Sequence, residues 1–160
     1  MAILYMQHAA DESVAEAQRV DEGSKTHAPA GALLQVISTT ADRSCLGLGT
    51  DLQTFALHTA RLDPAVHCVV AVTMAFNFKA EVHGTLEAYV GRQAREVDFD
   101  PVFPFHTRVG AKIRRVAHVY SPKDKESQFV GVLVAFDVSD PHTGTPAPAA
   151  EPLAAALGEG

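Results

Sequence analysis

The sequence predicts an α+β fold: a four- to five-stranded antiparallel sheet with long strands, one core helix packed on it and a peripheral N-terminal helix. Three stretches carry this expectation. Residues 66–72, Val-His-Cys-Val-Val-Ala-Val, are apolar at nearly every position, as in a strand covered on both faces. Residues 79–90 alternate strictly, with Ala80, Val82, Gly84, Leu86, Ala88 and Val90 set against Lys79, Glu81, His83, Thr85, Glu87 and Tyr89. That is the period of a strand with one buried and one polar face. Residues 129–136, Phe-Val-Gly-Val-Leu-Val-Ala-Phe, form a second two-sided apolar run.

Around these the elements follow in order. Residues 8–22 carry Ala10, Val14 and Ala17 on one thin stripe with Gly23 as a stop, which predicts a peripheral helix; residues 1–31 form an N-terminal helix-and-linker region. The core domain is expected over 32–140. It opens with a strand at 32–38. A helix follows over 51–62, because Thr50-Asp51-Leu52-Gln53 fits a capping box and Asp63-Pro64 closes the element. Leu52, Phe55, Ala56, Thr59 and Leu62 are its expected core face. Ala75 to Phe78 reads as a turn between the two opening strands, with a bent single strand as the alternative.

Residues 91–108 are expected to be irregular. The prolines at 101 and 104 exclude a central strand, and Phe99, Phe103 and Phe105 either roof an open core edge or meet a partner. Residues 109–121 and 128–138 make a hairpin around Pro122-Lys123-Asp124-Lys125-Glu126. At full length its arms reach about 35–40 Å. Arg115 falls on the apolar side of its arm, which predicts a bulge or buried ion pair there. Residues 141–160 are an Ala/Pro-rich tail whose Leu153 and Leu157 share one helical face, suited to docking on another subunit.

Composition narrows the function classes. A net charge of -6 argues against a nucleic-acid partner. No apolar run approaches the ~18 residues of a membrane span. The first residues lack the basic n-region of a signal peptide. With Cys45 and Cys68 as its only cysteines, the chain is expected in the cytoplasm or in a particle assembled there. The histidines show no His-x-His or His-x-x-x-His spacing, so no metal or other cofactor is expected, and His67 reads as a core histidine.

Chemistry, if present, is expected on the polar strand face, where Glu81, His83 and His118 are the catalytic candidates. A solvated face of cross-strand charge pairs is the simpler reading. Cys45 stands five residues before Thr50 and reads as a small buried hydrophobe. Gly47-Leu48-Gly49 before a helix suggests phosphate binding, but Asp51 in the first turn would repel the anion. The helix, Val-Thr-Met-Ala-Phe-Asn-Phe, His-Gly-Thr-Leu-Glu-Ala-Tyr-Val and the final hairpin together resemble the element order of hotdog-fold thioesterases. That resemblance implies acyl-thioester hydrolysis on the Glu81/His83/His118 face, although His58 and Thr59 stand mid-helix in place of a carboxylate. The leading expectation is a non-enzymatic structural or assembly protein, such as a viral or bacterial particle component. It would self-associate or join other subunits through Phe99, Phe103, Phe105, Leu153 and Leu157.

Overall fold

The computed structural model describes residues 2–11, 26–42, 44–93, 100–117 and 130–145. Within them the chain runs β1 (Ala2–Ala9), β2 (Leu33–Ala41), α1 (Leu48–Arg61), β3 (Cys68–Met74), α2 (Ala80–His83), α3 (Leu86–Gln93), α4 (Phe103–Thr107), β4 (Lys112–Ala117) and β5 (Gly131–Asp137). The strands form one five-stranded sheet in the order β1-β2-β3-β5-β4.

The sheet is mixed where the sequence predicted a purely antiparallel one. β2 and β3 are parallel, and the other neighbours are antiparallel. The reason is connectivity: α1 carries the chain across the sheet between β2 and β3, the crossover a parallel pair requires. The strands are six to nine residues long, so the described hairpin strands do not form long arms. The expected bulge is present, since Ile113 faces Val134 and Arg115 faces Leu133, leaving Arg114 as the extra residue.

The two-sided apolar runs are central strands, as their composition predicts. In β5, Val134 and Phe136 pack with Val69, Leu57 and Ala60, whereas Leu133 and Ala135 pack with Val70 and Cys68 on the other face. Val132 joins a third cluster with Phe78, Leu86, Tyr89 and Phe103. Beta periodicity puts Val132 on the face of Val134. The sheet face that α1 covers is therefore also met by α3 and α4.

Four local expectations are corrected. Residues 79–90 are helical: Gly84 at φ 74 separates α2 from α3, and the Thr85 hydroxyl accepts the Ala88 N–H at 3.2 Å as an N-cap. Leu86 and Tyr89, one helical turn apart, are buried, while Val82 is 69% exposed. Helix α1 begins from Gly47, and Thr50 lies inside it without a capping bond. Its buried face is Gln53, Ala56, Leu57 and Ala60, so Phe55 at 59% and Leu62 at 85% exposure point outward. The chain opens with a strand where the predicted helix over 8–22 begins, and residues 12–25 lie outside the described residues. His67, expected in the core, is exposed; its backbone carries sheet-edge bonds from its N–H to Ala32 O and from the Val138 N–H to its carbonyl.

The first residues beyond Asp140 pack on the domain itself. Thr143 is 2% exposed, the Gly144 N–H donates to Val109 O at 2.8 Å, and Arg61 donates to the carbonyls of Val138, Asp140 and Thr143.

Candidate functional site

The site follows from one irregularity in the sheet. β2 pairs with β3 only from Leu33 to Val36, against Cys68 to Ala71. At the next residue the β1/β2 register slips, because Tyr5 faces Ser38 while Met6 faces Val36. Ile37 is thus a bulge residue, and a bulge bends its strand and sharpens its twist. From there β2 stays with β1, while β3 stays with β5 as far as Met74. The two parallel strands diverge in the middle of the sheet.

The divergence opens a cleft of about 300 Å³ whose walls include Val36, Thr39, Thr73 and Met74, with Phe105 and His106 of α4 among the residues lining it. That size is at the lower end for a small-molecule site, and an apolar lining with few polar groups is the usual composition. Strand edges that leave their ladder also present backbone N–H and C=O groups that need partners.

Helix α1 starts beyond the wide end of β2. The connecting loop turns through Asp42, whose carboxylate accepts the Ser44 N–H and hydroxyl, and those bonds hold the Asp42 pKa below the usual value. Gly47 at φ 86 precedes the first helical residue, a conformation that favours glycine. Two residues on, a side chain at Gly49 would meet the Phe105 ring at 3.0 Å. This glycine lets α4 lie against the head of α1. Asp51 points to solvent.

Beneath the cleft lies a chamber of about 20 Å³ walled by Val36, Thr39, Ala56, Leu57, Val69 and Phe136, with Gln53 and His106 as its remaining polar members. Gln53 Nε2 and His106 Nδ1 are 2.6 Å apart. His106 is 8% exposed and rests edge-on to Phe105 and Phe136. Burial lowers its pKa to about 4, so the imidazole is neutral at pH 7. Gln53 Oε1 is buried and accepts no hydrogen bond.

A second buried polar pair fastens the segment that supplies α4. Asp100 is fully buried and takes the Tyr89 hydroxyl at 2.6 Å, the Asn77 N–H at 3.1 Å and the Val102 N–H at 2.8 Å. Burial and the Asp100 carboxylate push the Tyr89 phenol pKa well above its ordinary value. Val102 lines the cleft, so this pair anchors part of its wall.

The residues singled out from sequence lie elsewhere. Glu81 is exposed on α2, and neither it nor His83 lines the cleft. His83 Nδ1 accepts the Lys79 N–H at 2.9 Å, and its ring lies 4.8 Å from that of Tyr89. His118, Phe99, Leu153 and Leu157 lie outside the described residues. Phe103 is fully buried in its own domain, packed on Tyr89, which leaves no surface for a partner. Phe105 is part-buried on the cleft. Cys45, expected to be buried, is exposed beside the head of α1. Among the described residues no helix is long and apolar enough to cross a membrane, and no cluster of metal-ligating side chains occurs.

Sequence reasoning missed Gln53 and His106. Gln53 is the one strongly polar residue on the buried face of α1, a usable signal once that face is known.

Solved structures share the fold. GphF GNAT-like decarboxylase in complex with isobutyryl-CoA superposes with a TM-score of 0.75 at 29% identity, over 86% of this chain and 72% of that one. The loading GNATL domain of CurA from Lyngbya majuscula gives 0.69 at 27% identity, over 84% and 69%. The fold is GNAT-like. No protein-family model matches the chain, and no curated protein matches it.

These neighbours overturn the expectation of a non-enzymatic structural or assembly protein, because they are a decarboxylase and a loading domain. The hotdog alternative falls with it. The mixed sheet with its α1 crossover and central divergence has a different topology, and the strand that carried the resemblance is two helices.

Proposed function

We propose that the chain is an acyl-CoA-binding enzyme domain that removes the carboxylate from a short 2-carboxyacyl thioester. The observation that carries this reading is the cleft between β2 and β3, opening toward the head of α1 in a fold shared with a decarboxylase held with isobutyryl-CoA. The divergent strand edges suit the amides of a pantetheine arm, which can pair with backbone as a strand does. The head of α1, entered through Gly47-Leu48-Gly49, suits the pyrophosphate, because first-turn N–H groups and the helix dipole favour an anion. Asp51 is exposed in that first turn, and its charge opposes the anion there.

The chemistry follows from what the cleft offers. In the reaction the bond between the 2-carbon and its carboxylate breaks. Its electron pair passes into the thioester as an enolate, CO₂ leaves, and a proton then adds to the 2-carbon. The step needs donors at the thioester oxygen, where negative charge develops, and a setting in which the carboxylate is poorly solvated. Thr73 and a neutral His106 supply hydroxyl and imidazole donors in an otherwise mostly apolar lining. Acyl transfer to an amine would instead need a base. Among the described residues no carboxylate lines the cleft, and His106 Nδ1 is already engaged by Gln53.

Titration calorimetry with isobutyryl-CoA, paired with mass spectrometry of 2-carboxyacyl-CoA esters incubated with the protein, tests both halves. Binding with CO₂ loss, reduced by roughly 10²-fold in His106→Ala, is the expected result. No binding of any CoA ester at millimolar concentration overturns the reading; binding with acyl transfer and no CO₂ loss overturns the reaction.

A further inference from the structure

We propose that Gln53 is a positioning residue for His106: its side-chain amide donates to Nδ1, which fixes the ring proton on Nε2, and a single water in the chamber below satisfies Gln53 Oε1. The first part rests on geometry. Nε2 of Gln53 and Nδ1 of His106 are 2.6 Å apart in a buried setting, and no other side-chain partner of the ring is in evidence among the described residues. A ring nitrogen that accepts here carries no proton, so the proton sits on the opposite nitrogen.

The amide orientation follows from the chamber. As placed, the buried Oε1 is the one acceptor left without a partner, on a residue that lines a chamber shared with Val36, Thr39, Ala56, Leu57, Val69 and Phe136. Turned over, the amide would direct its N–H₂ donors into the same apolar walls, and orphaned donors are rarer in proteins than under-satisfied carbonyls. A space of about 20 Å³ exceeds the ~10–15 Å³ that one water needs. Oε1 and Thr39, a lining residue of the same chamber, are the polar groups available to it. His106 lines both the chamber and the cleft. The pair therefore links the small chamber to the ring that lines the cleft.

Among the described residues, those that line the two cavities beside the ring carry no competing charge. Gln53 comes from α1, Thr39 from β2, Ala71 from β3, Phe136 from β5 and Phe105 from α4, and none of these ionises in the working range.

The proposal goes beyond the acyl-CoA reading, and only its activity arm rests on that reading. Histidine ¹⁵N NMR on the full chain, with His106 signals assigned from a His106→Asn spectrum, reads the tautomer without any substrate. The wild type is expected to show Nε2–H with an unprotonated Nδ1. In Gln53→Leu the fixed tautomer should be lost. In Gln53→Glu the carboxylate should draw the proton to Nδ1 and raise the pH at which the ring takes a second proton by about 1–3 units. In the decarboxylation assay Gln53→Leu should lower kcat by roughly 10²-fold or less with KM within about twofold, and Gln53→Glu should shift the acid limb of the pH profile upward. An Nδ1–H tautomer in the wild type, or a tautomer unchanged by Gln53→Leu, overturns the proposal whatever the substrate proves to be. Failure of the protein to bind CoA esters, with the NMR result as expected, overturns only the functional reading.

Discussion

Asp100 with Tyr89, and Gln53 with His106, are both buried polar pairs on short hydrogen bonds, yet they differ in one respect. Asp100 accepts from Tyr89, Asn77 and Val102, and both of its oxygens are engaged. Gln53 has one bond and an oxygen with none. A buried acceptor without a partner costs free energy, and a fold tolerates it where something else is gained. The satisfied pair stands among Phe78, Leu86 and Phe103 and holds helices together. The unsatisfied pair stands where the sheet parts. The contrast is between a pair whose hydrogen bonding is complete and one that keeps an open acceptor beside the cleft.

Substitutions and titrations break or sharpen that contrast. Asp100→Ala removes the acceptor for a hydroxyl and two backbone donors, and at about 1–3 kcal/mol per orphaned group the loss should reach about 3 kcal/mol or more in urea denaturation. A loss below about 1 kcal/mol would mean that the satisfied pair is not structural. Leu57→Ala, one turn from Gln53 and 1% exposed, sets the scale for a purely apolar position at about 2–5 kcal/mol.

The third outcome concerns pH. The His106 pKa lies near 4 in the fold against an ordinary 6.5. Between those values the unfolded chain binds a proton that the folded chain does not, so stability is full above pH 6.5 and falls as pH drops toward 4. The loss is about 3 kcal/mol at most and should be absent in His106→Gln; urea midpoints at stepped pH measure it. The Tyr89 phenol is shifted the other way. Its contribution is present below pH ~10 and declines above that, where only the unfolded chain ionises.

The smallest effect is expected at Phe55→Ala. The ring is 59% exposed, so the change should cost under about 1 kcal/mol. Gln53→Leu should cost about 1–2 kcal/mol, less than Asp100→Ala, since it removes an amide oxygen that has no partner but leaves His106 Nδ1 without its donor. A large loss there would make Gln53 a second Asp100 and erase the distinction.

Much of the sheet was legible because apolar runs have few interpretations. The stretches at 66–72 and 129–136 can be buried on both faces only as central strands or buried helices, and their β-branched content decides for strands. Strict alternation at 79–90 misled because Leu86 and Tyr89 at i, i+3 also satisfy a helical face. The deciding signals were Gly84 as a break and Thr85 as a cap. Phe55 on α1 and Leu62 just past its end drew the expected core face about one residue out of register. Packing instead selected Ala56, Leu57 and Ala60, whose side chains let the helix lie close to β3 and β5.

The sequence by itself determined the two apolar runs that are central strands, that a helix lies between two strands, and that Arg115 on its strand calls for a bulge or a buried ion pair nearby. Those properties are local or periodic, and a single chain displays them. Only the tertiary structure decided that β2 and β3 run parallel and then part after Val36 and Ala71. The site is made by that parting, together with Gln53 and His106, which stand 53 positions apart in the chain. Strand order and register are cooperative outcomes of the whole sheet, so no segment of the sequence carries them alone.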